Sequence, residues 1–176
     1  MRNSNQTTLS ARGFTLLELM ITIAIALIVL SISVPSFINL LDSNRLAATR
    51  DTLVSSLQRA QQQAMSQSVS AYLCPSDSGN SCASQWDGVT GWMVFVDRNR
   101  DGSYTAATDV IVLVERDMPA QAIEADSALI RFLPSGHTTE QTFSVCGQHS
   151  GVEDLRFQLS RSGRVSHVVP ANNHCG

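Results

Sequence analysis

Hydrophobic and polar positions divide this chain into stretches of different period. Residues 1–13 are polar, with Arg2 and Arg12 and no acidic side chain. From Phe14 to Val34 apolar residues run almost unbroken. As a helix this run of roughly 21 residues spans about 31 Å, one hydrocarbon core. Arginines precede it, so the positive-inside rule places residues 1–13 in the cytoplasm and the rest outside. After Pro35, apolar or small residues return at Phe37, Leu40, Leu41, Ala47, Ala48, Val54, Leu57, Ala60 and Ala64. Those spacings trace one helix face. Proline has no amide hydrogen, so Pro35 is expected to kink or loosen the helix, which a membrane segment tolerates. The helix is expected to end near Gln67 or Ser68, roughly 80 Å from Phe14.

From Val69 the period changes to short β-branched and aromatic runs separated by turn clusters. Strands are expected near Val69–Cys74, Gly91–Val96, Val110–Arg116, Ala128–Leu133, Thr142–Cys146, Leu155–Ser160 and Arg164–Val169. Turn signals fall at Ser76–Asn80, Arg100-Asp101-Gly102, Pro134-Ser135-Gly136 and Ser162-Gly163. The last two strands read as a terminal hairpin. The fold class is therefore α+β: a long N-terminal helix packed on an antiparallel β-rich head. The segments are 1–13, a membrane or filament-core helix 14–34, an amphipathic helix 35–68 and a head 69–176.

Composition refines this picture in two places. The net charge is -3, and all 12 basic residues are arginine. A slightly acidic chain has no general pull on nucleic acid. The 4 cysteines, Cys74, Cys82, Cys146 and Cys175, all follow the apolar run. An even count beyond a membrane segment reads as two disulfides, with three connectivities open. Cys74–Cys82 would close a loop rich in Ser, Asp, Gly and Asn. Cys146–Cys175 would tie down a chain end that otherwise frays.

One residue is out of place. Glu18 lies four residues into the apolar run. A charge deep in a bilayer costs on the order of 2.5–3.5 kcal/mol on insertion scales. Either Glu18 lies near the interface and snorkels, or it needs a partner cation. A cut just before Phe14 would create an α-amino group one helical turn away.

The stretch Arg12-Gly13-Phe14-Thr15-Leu16-Leu17-Glu18-Leu19 resembles the leader of type IV prepilins and type II secretion pseudopilins. That resemblance implies cleavage by a prepilin peptidase after Gly13, N-methylation of Phe14, an assembly role for Glu18 and a helix bend at Pro35. A plain secretory signal fits less well, because the apolar run exceeds its usual length and Glu18 interrupts it. In the head, Leu73-Cys74-Pro75 with Cys82, Gly91–Asp97 and Ser162-Gly163-Arg164-Val165 resemble GspH/FimT/FimU-type heads. The resemblance implies a minor pilin near the tip of a type IV pilus. It also allows a minor pseudopilin of type II secretion. Implied partners are other major and minor pilins or pseudopilins, the prepilin peptidase and the inner membrane. The chain would end in a periplasmic or extracellular filament.

Other constellations are weaker. Asp97-Arg98-Asn99-Arg100-Asp101-Gly102 fits the first half of a calcium loop, with Asp97, Asn99 and Asp101 as candidate oxygen ligands. The second half fails: Thr108 stands where a glutamate belongs, and Arg98 and Arg100 reduce the local charge. A solvated turn is the expectation. Cys146, His149, His174 and Cys175 are zinc-type ligands, but disulfide pairing competes outside the cytoplasm. FimT-type proteins that capture DNA carry a second arginine two residues after the first; here Arg164 is followed by Val165 and Ser166. Arg161 and Arg164 alone offer little counterion release, so nucleic acid is kept only as a third alternative. No esterase elbow, zinc-protease helix or phosphate loop occurs, and neither an enzyme nor a cofactor is expected.

The leader reading makes a direct prediction. Mass spectrometry of the native protein should find methylated Phe14 at the N-terminus. A Gly13→Val variant should keep residues 1–13; an intact mature terminus in that variant would contradict the assignment.

Overall fold

The computed structural model describes residues 14–89, 91–118, 122–147 and 152–168, with the backbone alone at Pro35, His167 and Val168. Gly13 and the remaining leader residues lie outside this set, as do Cys175, His149 and His174. Two units are distinguished, divided between Ile38 and Asn39. Helix α1 (Leu16–Gln67) contributes to both, and Pro35 falls within it.

In the second unit, residues 39–67 of α1 bury Asp42, Leu46, Thr49, Leu53, Ser56, Leu57, Ala60 and Ala64. Their steps of three and four keep them on one side. Only part of the expected face is confirmed. Leu57, Ala60 and Ala64 are buried and Ala47 and Val54 half-buried, whereas Phe37, Leu40, Leu41 and Ala48 are exposed. Leu46 and Leu53 supply the upper half of the stripe instead. Their phase, seven residues apart and continued by Ala60, is the one that faces the sheets. Ser68 then adopts a left-handed φ of 56° and ends the helix.

Eight strands follow: β1 (Ala71–Pro75), β2 (Trp92–Val96), β3 (Val110–Glu115), β4 (Ile123–Ala125), β5 (Ile130–Phe132), β6 (Gln141–Val145), β7 (Leu155–Leu159) and β8 (Val165–Val168). They form two four-stranded sheets, in the orders β3-β2-β1-β5 and β4-β6-β7-β8. Every pairing is antiparallel. All seven expected strands are present, most within two residues of their expected limits. The first starts later because Ser68–Ser70 make the turn out of α1. Strand β4 was not expected; three residues are too few to show a period. The β7–β8 hairpin closes through Ser160 N–H to Arg164 C=O, 2.9 Å, with Gly163 at φ 76°.

The main core joins the helix to both sheets. Leu53 and Leu57 share one buried cluster with Leu73, Val94 and Val96 of the first sheet and Phe143, Phe157 and Leu159 of the second. Phe143 stacks on Phe157 at 4.9 Å, and Trp86 meets Phe143 edge-on at 6.2 Å. Trp92 is fully buried and donates its indole N–H to Ser56 Oγ at 2.9 Å, which explains a serine on the buried helix stripe. A smaller cluster of Tyr72, Cys74, Met93 and Phe95 covers the opposite face of the first sheet. Gln61 holds the helix to two turns, donating to Gly136 C=O at 2.8 Å and Ser162 C=O at 3.0 Å. A Cβ at Gly163 would collide with the same Gln61 amide.

This packing predicts a contrast along one helix. Leu57→Ala should destabilise the head by about 2–5 kcal/mol in denaturant unfolding followed by tryptophan fluorescence. Leu40→Ala, at an exposed position, should leave the midpoint nearly unchanged. Equal effects would place the helix in a different phase.

Candidate membrane and assembly surface

In the first unit, Thr15 sets where the helix begins. Its Oγ1 accepts the Glu18 N–H at 3.3 Å, and its C=O accepts the Leu19 N–H at 3.1 Å. Thr15 is thus the N-cap, and Thr15-Leu16-Leu17-Glu18 has the spacing of a capping box. The signal T-x-x-E stands in the sequence, where it overlaps the leader motif.

Beyond the cap, the apolar side chains face outward all round. Phe14 is 80% exposed, Leu16 76% and Ile32 70%. The span from Phe14 to Val34 has no buried position. Its hydroxyls do not interrupt it: Thr22 donates to Leu19 C=O at 2.8 Å, Ser31 to Ile28 C=O at 2.7 Å and Ser33 to Val29 C=O at 2.9 Å. Every such donor is satisfied within its own turn, as an apolar medium requires. Glu18 is the only ionisable side chain between Phe14 and Val34. Its carboxylate has no hydrogen-bond or ion-pair partner among the described residues. A helix that is apolar on every side belongs in lipid or among other helices.

The head carries the other candidate residues. Cys74 and Cys82 form a disulfide with Cα atoms 5.5 Å apart. Cys146 is also disulfide-bonded; its expected partner Cys175 lies outside the described residues. That state of Cys146 removes a ligand from the zinc arrangement. Arg161 and Arg164 are both exposed in the turn between β7 and β8.

The Asp97–Gly102 loop is more organised than a solvated turn. Carboxylate oxygens of Asp97, Asp101 and Asp109 lie within 4.8 Å of one another. The buried Asp97 accepts the N–H of Arg100 at 2.6 Å and of Gly102 at 3.0 Å. Asp109 accepts the N–H of Arg98 at 3.0 Å and of Thr105 at 2.7 Å. Asn99 points its amide at Asp101, 2.7 Å away. The carboxylates therefore act first as anchors for loop amides. Asp109 lies just beyond the Asp97–Gly102 stretch in sequence, and its burial beside the loop gives it this role. The Asp101 carboxyl is held below its ordinary value of 3.8 by the Ser103 N–H, then the Ser103 hydroxyl, with Asn99 adding to both.

Comparison with known proteins is consistent with this geometry. The family model described as type II transport protein GspH matches residues 49–163. The prokaryotic N-terminal methylation motif matches residues 9–34. Among solved structures, the chain is similar to the type IV minor pilin FimU of Pseudomonas aeruginosa in two crystal forms. The first has a TM-score of 0.51 and 18% identity, covering 72% of this chain and 90% of that one. The second has a TM-score of 0.50 and 16% identity, covering 70% and 92%. At that identity the likeness concerns the fold. No curated protein matches the chain.

The loop makes a prediction of its own. Asp97→Ala leaves two amides without acceptors and should cost about 1–3 kcal/mol. Asp101→Ala should cost much less. A depressed folded-state pKa gives support that is present above the ordinary value and lost as pH falls through the depressed one. Amide exchange at Ser103 should therefore gain protection relative to Asp101→Ala at neutral pH and lose it on acidification below about 3.8. Equal protection in both proteins at neutral pH would show that Asp101 does not hold the loop.

Proposed function

The chain belongs to the GspH family of pilin-like proteins, and from that premise we propose that it is a minor pilin that helps prime and assemble a type IV pilus. It would be made as an inner-membrane precursor, cut by a prepilin peptidase after Gly13 and methylated at Phe14. It would then enter the filament near its tip among other major and minor pilins. The family and fold are those of structural subunits, and the role is one of packing rather than catalysis. A second reading has a specific observation behind it: the family model bears the description of a type II transport protein. On that reading the same subunit sits in a periplasmic pseudopilus.

The observation that carries the proposal is the exposed apolar helix with one carboxylate in it. Lipid can cover the apolar side chains before assembly. On extraction into a filament core, the helices of neighbouring subunits must replace the lipid. Glu18 then sits where water is scarce, and an unpaired carboxylate there costs several kcal/mol or takes up a proton. The α-amino group of a mature Phe14, from the same chain or a neighbour, is the cation within reach. Pairing fixes the axial position of a subunit, because the two charges must lie level.

Deleting the gene separates the two systems: loss of surface pili supports the first reading, and loss of secretion with normal piliation supports the second. Within either system, Glu18→Ala should leave membrane insertion and leader cleavage intact and remove the subunit from isolated filaments. Normal incorporation of that variant would make Glu18 an interfacial snorkeller.

A further inference from the structure

The head exposes four strand edges, and three of them are blunted. Strand β4 has three residues with Glu124 at its centre. Strand β5 also has three, with Arg131 at its centre and Pro134 two residues beyond its end. Strand β8 has four, of which Ser166 and His167 are polar, and Arg164 precedes it. Shortness, charge and proline are the usual means of keeping an edge from pairing with another chain.

Strand β3 carries charge only at its ends, Asp109 just before it and Glu115 as its last residue. It is the longest of the four at 6 residues, and Val110-Ile111-Val112-Leu113-Val114 carries no charge. It pairs with β2 on one side, and no strand of the described residues lies on the other. No other backbone hydrogen bond involves it among the described residues. The central strands β1 and β2 are buried at every position, whereas all six residues of β3 are at least partly exposed, Val110 to 37%. A bulge opposite Val94 and Phe95 makes Val112 the extra residue, which bends the edge without charging it. Val112 and Leu113 pack in part on the main core and Ile111 and Val114 on the smaller one, so the side chains hold the strand in place while its outer amides and carbonyls form a template for an added strand.

We propose that β3 is a docking edge for an extended, uncharged strand of a different subunit in the same filament. This rests on the filament reading above and names a contact in it that the helix does not make. The occupant must be uncharged opposite Val110–Val114, since a facing charge would be buried beside five aliphatic residues without a counter-ion. At the far end Glu115 and Asp117 outnumber Arg116, so a basic residue suits the flank.

A second copy of this chain does not fit. Symmetric antiparallel pairing of β3 with β3 puts a two-fold axis normal to the sheet. That axis reverses every direction in the sheet plane, including that of a helix packed along it. The 39–67 portions of α1, packed on the sheets, would then run in opposite directions in the two copies. Subunits that follow one another along one filament share a direction, so the contact is between unlike surfaces.

The test is amide hydrogen exchange on the full mature chain, compared between detergent-solubilised subunit and isolated filament. Alternate amides of residues 110–115 should exchange freely in the subunit and slow at least about tenfold in the filament. The chain present in filaments with these amides unprotected would overturn the edge and leave the filament reading standing. The chain absent from filaments would overturn both. As a second arm, Val110→Lys, at the exposed position of the edge, should keep leader cleavage and unfolding midpoint while its incorporation falls at least about tenfold. Val110→Thr should be incorporated normally. Normal incorporation of a folded Val110→Lys would also count against the edge, and if that variant does not fold, exchange on the natural chain still decides.

Discussion

A helix whose side chains are apolar on every side cannot be left in water. At about 25 cal/mol for each Å² of apolar surface, the residues from Phe14 to Val34 impose a demand that their own chain does not meet. Only lipid or other helices can satisfy it, and a helix satisfies its own backbone in either setting. The rest of the molecule is arranged around this demand. Thr15 caps the start of the helix, and Thr22, Ser31 and Ser33 spend their hydroxyls on their own carbonyls. What remains is an uninterrupted apolar surface with one carboxylate, suited to exchanging lipid for neighbouring helices.

The second half of the helix meets a different demand. Leu46, Leu53, Leu57, Ala60 and Ala64 form the face on which two small sheets close. Neither sheet could bury its apolar face alone. Polar groups placed on the same stripe do specific work: Ser56 accepts the Trp92 indole, and Gln61 ties two turns to the helix. The disulfide at Cys74–Cys82 and the Asp97 carboxylate secure the loops that follow β1 and β2. Such a head can be rigid while the apolar segment changes its surroundings.

Much of this was legible in the sequence, for reasons that can be named. A long apolar run and the leader motif are dense local signals, and the end of the helix is marked by a change of period at Ser68 and Val69. Seven strands were visible because β-branched runs alternate with Gly and Asp turns. What was not visible depends on long-range contact. The phase of the helix face is fixed by Trp92 and the sheets, and spacing alone does not separate the buried Leu46 and Leu53 from the exposed Leu40 and Leu41. Strand β4 is defined by its pairing with β6 and not by its own three residues. Asp109 joins the Asp97 loop only after β3 begins beside β2. The division of eight strands into two sheets likewise has no local signature.

The central claim is that the apolar half of α1 ends up covered by the helices of other subunits. The most direct measurement places a photo-activated cross-linking residue at Ile25, in the middle of the apolar run, in the full chain within cells that assemble the filament. Cross-links from the assembled fraction should run to the N-terminal apolar helices of other subunits, identified by peptide mass spectrometry. Cross-links to lipid alone in every fraction would contradict it and leave the segment as a simple membrane anchor.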